Sequence, residues 1–249
     1  MSASHMDHPQ RSPNPRISIV IPVYNEEAIL EAAVKDLLDR LTTHFEFPFE
    51  LILAENGSRD QTVALAQQLA ERFPEVRTFS LGEPNYGKAL KRGILEARGE
   101  IVICDEIDLC DTDFYSRALA LLDSYEADLV VGSKVLDSSS DERPFLRHFA
   151  TIVINGMLRV SLGFKGTDTH GLKAFRRAAV VPVVERCIVD KDLFASELVI
   201  RAERSQTVQI KEIPVRVLEK RPPSIHLFRR VPNVLKGIAR LVVAIRIKG

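Results

Sequence analysis

Ile101-Val102-Ile103-Cys104-Asp105-Glu106-Ile107-Asp108-Leu109 is the stretch that decides how this 249-residue chain is read. A run of apolar, β-prone residues stops abruptly in three carboxylates. Unbroken apolar runs of this kind belong to strands buried on both faces, as in parallel sheets. Open α/β sheets place their ligands at the carboxyl ends of such strands. Asp105, Glu106 and Asp108 crowded at one such end repel one another unless a cation neutralises them, and their hard oxygens suit Mg²⁺ or Mn²⁺. An aspartate there would also cap a following helix, so the flanking segments must decide between a site and a turn.

Upstream, the same rhythm repeats. Ile17 to Ile21 is apolar and β-branched, and Glu26-Glu27 open a helix with Leu30, Ala33, Leu37 and Leu41 at helical spacing. Phe49 to Ala54 predicts a second strand, Val63 to Phe73 a helix, Val76 to Leu81 a third strand and Lys88 to Ala97 a helix. Glu100 to Cys104 is then the fourth strand. Phe114 to Leu122 predicts a helix and Asp128 to Gly132 a strand. This alternation predicts an α/β fold with a doubly wound, mostly parallel sheet flanked by helices. Beyond Gly132 the pattern predicts a polar loop over 134–144, a helix over 145–162 and a turn-rich 163–171. Strands are expected at 172–175 and 207–215, with helices near 177–185 and 192–204. Residues 1–15 are expected to be a flexible leader, 16–220 one domain, and 221–249 a basic C-terminal appendage.

Composition narrows the function classes. Formal net charge is +0, which leaves no global footprint for nucleic acid, and none is expected as a partner. Cys104, Cys110 and Cys187 are few, odd in number and outside metal-ligand spacing, which fits a reducing compartment. No stretch approaches the roughly 20 apolar residues of a membrane span.

Four segments fall at the carboxyl ends of the first four expected strands. They are Pro22-Val23-Tyr24-Asn25-Glu26, Glu55-Asn56-Gly57-Ser58-Arg59-Asp60-Gln61-Thr62, Asn85-Tyr86-Gly87-Lys88 and Asp105-Glu106-Ile107-Asp108. Singly, each has a structural account, since Pro22 and Gly57 punctuate turns and Ser58 or Asp60 caps a helix. Together they put carboxylates, a lysine and backbone-exposing glycines on one rim. Such a rim holds a base and ribose at its first segments and a metal-chelated diphosphate at its last.

In this order the motifs resemble the inverting family-two glycosyltransferases of the GT-A fold. Asp128-Leu129-Val130-Val131-Gly132-Ser133-Lys134 and Gly166-Thr167-Asp168-Thr169-His170-Gly171-Leu172-Lys173-Ala174-Phe175-Arg176 are similar to the branch that glycosylates polyprenyl phosphates, such as dolichyl-phosphate mannose synthase. The resemblance covers roughly residues 16 to 220. It implies a UDP- or GDP-linked sugar donor, a divalent metal (Mg²⁺ or Mn²⁺) and a polyprenyl phosphate acceptor. By the same resemblance, Pro22, Tyr24, Glu26, Glu55, Gly57, Ser58, Asn85, Gly87, Lys88 and Asp105 would bind the nucleotide-sugar. Glu106 and Asp108 would hold the metal, Asp108 more directly, because Glu106 stands where the family has aspartate. Lys134, Arg143 and Arg147 would grip the acceptor phosphate, with Arg159 a lesser candidate. Asp168 would orient the acceptor or serve as base, with His170 and Glu197 as weaker candidates. The same donor chemistry with a soluble hydroxyl acceptor, and a non-catalytic nucleotide-sugar binder, also fit these residues.

The tail carries a separate signal. From Lys220 to Gly249 there is no acidic residue. Pro232 suits a first helical turn, and Val231, Leu235, Ile238, Val242 and Ile245 make one apolar stripe opposite Arg229, Lys236 and Arg240. Such a helix lies in an anionic membrane interface or packs its stripe on the core. The first outcome would place the protein peripherally at the cytoplasmic face of a membrane.

Overall fold

The computed structural model describes residues 14–133, 136, 156–169, 171–215 and 227–247. Lys134, Arg143, Arg147 and His170, expected from the sequence at the acceptor, therefore lie outside the described residues. The first two apolar runs pair in parallel as β1 (Ile17–Val23) and β2 (Phe49–Glu55), every residue of both buried. β3 (Val76–Ser80) and β4 (Ile101–Cys104) extend this sheet on either side. Between them run α1 (Leu30–His44), α2 (Thr62–Arg72) and α3 (Tyr86–Glu96), then α4 (Thr112–Asp123) leads to β5 (Leu129–Ser133). A helical stretch, α5, occupies 156–162. It precedes β6 (Lys173–Arg176), α6 (Arg177–Arg186), α7 (Phe194–Ser205), β7 (Ile210–Pro214) and α8 (Leu227–Arg246).

Among the described residues the sheet has seven strands in the order β3-β2-β1-β4-β6-β5-β7. All neighbours are parallel except β6, which runs antiparallel to both β4 and β5. This single reversal matters for the site. The loops that follow the parallel strands emerge at one rim, and the turn that precedes β6 reaches the same rim. The boundaries also correct the sequence in detail. Pro22 and Glu55, expected in loops, lie inside β1 and β2, because the β1–β2 ladder continues to the Val23–Glu55 pair.

Strand alternation divides the core between the two sheet faces. Ile19, Ile21, Leu51, Leu53, Ile103 and Val130 pack with α1, α2 and α4. Val20, Ile52, Val102, Leu129, Val131 and Phe175 pack with α3, α6 and α7. α8 joins the second cluster through Ile238, Leu241 and Ile245. Each such side chain contributes about 1.5–3 kcal/mol on burial, so part of the tail's stripe is core. Leu235, from the same stripe, stays exposed. Pro232 falls inside the helix rather than in its first turn, because α8 already starts at Leu227.

Arg201 ties α8 to the domain. Its Nη2 donates to the Ala244 carbonyl at 2.9 Å and its Nε to Glu197 Oε1 at 2.8 Å. Glu197 is fully buried, and its Oε2 accepts the amides of Ile188 and Val189. That carboxylate holds the 188–189 segment and Arg201.

Candidate active site

The loops after β1 and β2 are zipped together by their own side chains. Ser58 Oγ accepts the Asn25 amide at 2.9 Å and Asn25 Oδ1 accepts the Arg59 amide at 2.9 Å. Thr62 Oγ1 accepts the Glu26 amide at 2.8 Å, and Asp60 accepts both the amide and the hydroxyl of Thr62. Tyr24 stands at this junction with 38% of its surface exposed, and Glu26 is half-buried beside it.

Glu55, at the end of β2, governs the second loop. Its carboxylate accepts the Ser58 amide at 2.5 Å and the Ser80 hydroxyl from β3. Burial alone would raise its pKa, but the donors from Ser58, Ser80 and Gly57 outweigh burial and hold it below the usual carboxylate value. Gly57 has φ +80°, and a Cβ there would collide with the Glu83 backbone. Glycine is therefore required by both conformation and space.

The third loop also joins two elements that lie far apart in sequence. Asn85 caps α3 by accepting the Lys88 amide, and it also accepts the Lys191 amide at 2.9 Å and donates to Asp190 Oδ2 at 3.0 Å. Gly87 lies against the Lys191 backbone with no room for a Cβ. Asn85 and Gly87 thus join α3 to the 190–191 segment, a long-range contact that no local motif announces. Lys88 remains exposed, paired with exposed Glu83 at 2.7 Å.

The acidic loop splits into an inner and an outer part. Asp105 is 2% exposed. It accepts the Tyr115 hydroxyl at 2.5 Å and the amides of Glu106 at 2.6 Å and Asp111 at 3.1 Å. Burial pushes its pKa up to about 7, against the pull of those donors and with a small push from Glu106. These bonds let it shape the loop from beneath. Glu106 and Asp108 are the half-buried carboxylates on the outer side. Asp111 caps α4 through the Phe114 amide, and Cys110 takes φ +47° with its carbonyl bonded by Arg40. Burial raises the thiols of Cys104, Cys110 and Cys187 to about 12, which leaves them unreactive.

Among the described residues no group of three or more His, Cys, Asp or Glu side chains closes on a metal-sized point. Asp105 is turned inward to the Tyr115 hydroxyl. One or two outer carboxylates remain, which is the donor set of a cation shared with substrate phosphates rather than caged by protein. The residues present fit such a cation.

The turn before β6 completes the rim. Asp168 is 7% exposed. Its neighbour Thr167 donates its amide and hydroxyl to Glu212 of β7, each at 2.7 Å, and contacts Ser133 Oγ at 2.6 Å. Thr169 meets Ser196 of α7 at 2.8 Å. Gly171 packs directly on the Gly132 backbone, where no Cβ would fit. Lys173, 2% exposed, donates to the Gly171 carbonyl at 2.7 Å. Arg159, on α5, is exposed. The sequence did not single out Glu212, Ser133, Ser196 or Lys173. A lone lysine between Leu172 and Ala174 in a buried strand was the one visible signal.

Comparison with known proteins agrees with this geometry. The family model described as glycosyl transferase family 2 matches residues 18–182. A dolichyl-phosphate beta-glucosyltransferase of Trichomonas vaginalis is 29% identical over 219 residues, covering 82% of this chain and 66% of the relative. The glycosyltransferase AglD of Haloferax volcanii is 27% identical over 228 residues, covering 90% of this chain and 36% of the relative. The chain thus spans only part of these relatives. Glucosyl-3-phosphoglycerate synthase from Mycobacterium tuberculosis, solved with Mn²⁺, UDP and glucosyl-3-phosphoglycerate, shares the fold. Its TM-score is 0.59 at 20% identity, over 92% of this chain and 79% of that one.

Proposed function

The chain belongs to glycosyl transferase family 2, and from that premise we propose that it moves a sugar, with inversion, from a nucleotide-diphospho-sugar to a polyprenyl phosphate. One observation carries this reading: the acidic loop 105–111 lies on one rim between the zipped loops of β1 and β2 and the Asp168 turn. Donor and acceptor would meet across it. The dolichyl-phosphate relative supports the lipid acceptor.

On the donor side, exposed Tyr24 offers a face to the base, and Glu55 presets Gly57 and Ser58 beside it. Lys88 is paired with Glu83 at the surface, where water weakens an ion pair, and exchanges Glu83 for donor phosphate at little cost. A divalent cation held by Glu106 and Asp108 would supply Lewis-acid compensation for the departing nucleotide diphosphate. On the acceptor side, a phosphate is already anionic at neutral pH and needs holding more than deprotonation. Lys134, which follows directly on β5, is assigned to that task with Arg143 and Arg147. Asp168 orients the acceptor against the sugar's anomeric carbon.

No helix among the described residues is long and apolar enough to cross a membrane. Attachment would use the outer face of α8, where Lys236 and Arg240 are exposed beside Leu235, Val243 and Ile247. Basic and apolar side chains on one helical face suit an anionic lipid surface, here the cytoplasmic one. The test is a screen of UDP- and GDP-sugars with a short polyprenyl phosphate and Mg²⁺ or Mn²⁺. Glycosylated lipid phosphate supports the assignment; transfer only to soluble hydroxyls rejects its acceptor half.

A further inference from the structure

We propose that Lys173 and Glu212 are positioning residues that hold Gly171 and Thr167 on either side of Asp168 and so present Asp168 to the reacting groups; the inference rests on the sugar-transfer reading above. Lys173 is almost wholly buried, opposite Cys104 in the β4–β6 ladder and Val131 in the β5–β6 ladder. Cys104 immediately precedes the acidic loop, so the lysine lies under the rim where that loop and the Asp168 turn come together. Its Nζ donates to the Gly171 carbonyl at 2.7 Å, which fixes the C-terminal end of the turn. From β7, Glu212 fixes the other end through the amide and hydroxyl of Thr167.

Burying an ammonium is costly, and a neutral polar or apolar residue would fill a strand position with less penalty. The charge has a use at this place. The outer loop carries Glu106 and Asp108, the buried Asp168 belongs to the neighbouring turn, and the proposed reaction brings phosphate groups to the same rim. A fixed cation beneath the turn offsets that accumulation of negative charge and costs no reorganisation as the reaction proceeds. The opposite charges of Lys173 and Glu212 grip different carbonyl and amide groups, so each constrains the turn independently.

The test compares Lys173→Met, Lys173→Arg and Glu212→Gln with the wild type. Donor turnover, nucleotide affinity and amide hydrogen exchange are measured on each full-length protein. Lys173→Met is expected to lower kcat at least 100-fold while donor KM and nucleotide Kd stay within about 3-fold. Lys173→Arg is expected to restore part of kcat, and Glu212→Gln to show the same split more weakly. Hydrogen exchange at residues 167–171 is expected to rise at least 10-fold in Lys173→Met, with the rest of the sheet unchanged. Unchanged kcat, loss of nucleotide affinity in step with kcat, or unchanged protection of the turn would each overturn the clamp. If Lys173→Met does not fold, Glu212→Gln is decided by the same criteria. A wild type that uses only a soluble acceptor rejects the lipid acceptor but leaves the kcat split to judge the clamp. A wild type without turnover rejects sugar transfer, and the exchange data then decide the clamp.

Discussion

The Tyr115 hydroxyl, carried by α4, donates to the Asp105 carboxylate beneath the acidic loop, and both side chains are buried. Asp105 thereby supports the loop that carries Glu106 and Asp108. Tyr115→Phe removes one donor and leaves a buried carboxylate short of a partner, a loss of about 1–3 kcal/mol. Urea unfolding is expected to show that loss, together with reduced turnover as the loop relaxes. A variant as stable and as active as the wild type would contradict the supporting role.

Glu55 gives a pH-dependent prediction. Its folded pKa lies below the ordinary 4.5 because the donors around it prefer the charged form. A depressed carboxylate contributes stability above its unfolded pKa and loses it as pH falls through the folded value. Glu55→Gln is therefore expected to be less stable than the wild type at pH 7. The difference should narrow once pH drops below about 4.5. Chemical denaturation at pH 7 and in mild acid measures both. A gap that widens in acid would reverse the assigned sign.

Glu106 and Asp108 are expected to differ in weight. Asp108→Ala should reduce donor turnover roughly 10²–10³-fold, the scale of losing a few kcal/mol of charge stabilisation. Glu106→Ala should cost less, and both should raise the concentration of Mg²⁺ or Mn²⁺ needed for half-maximal rate. Metal titrations of the three proteins check this. An inert Asp108→Ala would remove the acidic loop from the chemistry.

The outer face of α8 should bind lipid without carrying the fold. Lys236 and Arg240 are exposed, while Ile238, Leu241 and Ile245 hold the helix to the core. The double variant Lys236→Glu, Arg240→Glu is expected to leave the melting temperature unchanged and to lower binding to anionic vesicles at least tenfold. Equal vesicle binding by both proteins would locate membrane attachment elsewhere.

Much of this architecture was legible because it is written locally. The apolar runs at 17–21, 49–54 and 101–104 have few alternatives to buried parallel strands, and their ends mark the rim. The C-terminal half was harder for a physical reason. β6 is four residues long and inserts antiparallel between β4 and β5, so its place in the sheet depends on contacts far away in sequence. The same holds for individual side chains. Asn85, expected at the donor beside Gly87 and Lys88, also bonds Asp190 and Lys191, more than 100 positions away, which no local motif shows. Asp105, Glu106 and Asp108 look alike in sequence, and it is burial, with the Tyr115 hydroxyl and the Glu106 and Asp111 amides, that sets the first apart. The tail's stripe was ambiguous between lipid and core, and the fold divides it: Ile238 and Ile245 face inward and Leu235 faces out.

The most direct measurement is sugar transfer itself, with the full-length protein, a nucleotide-sugar, Mn²⁺ and a short-chain polyprenyl phosphate, the products identified by mass and anomeric configuration. The wild type is expected to make a glycosyl polyprenyl phosphate of inverted configuration, and Asp108→Ala to lose that product. Transfer with retained configuration, or an Asp108→Ala protein as active as the wild type, would contradict it.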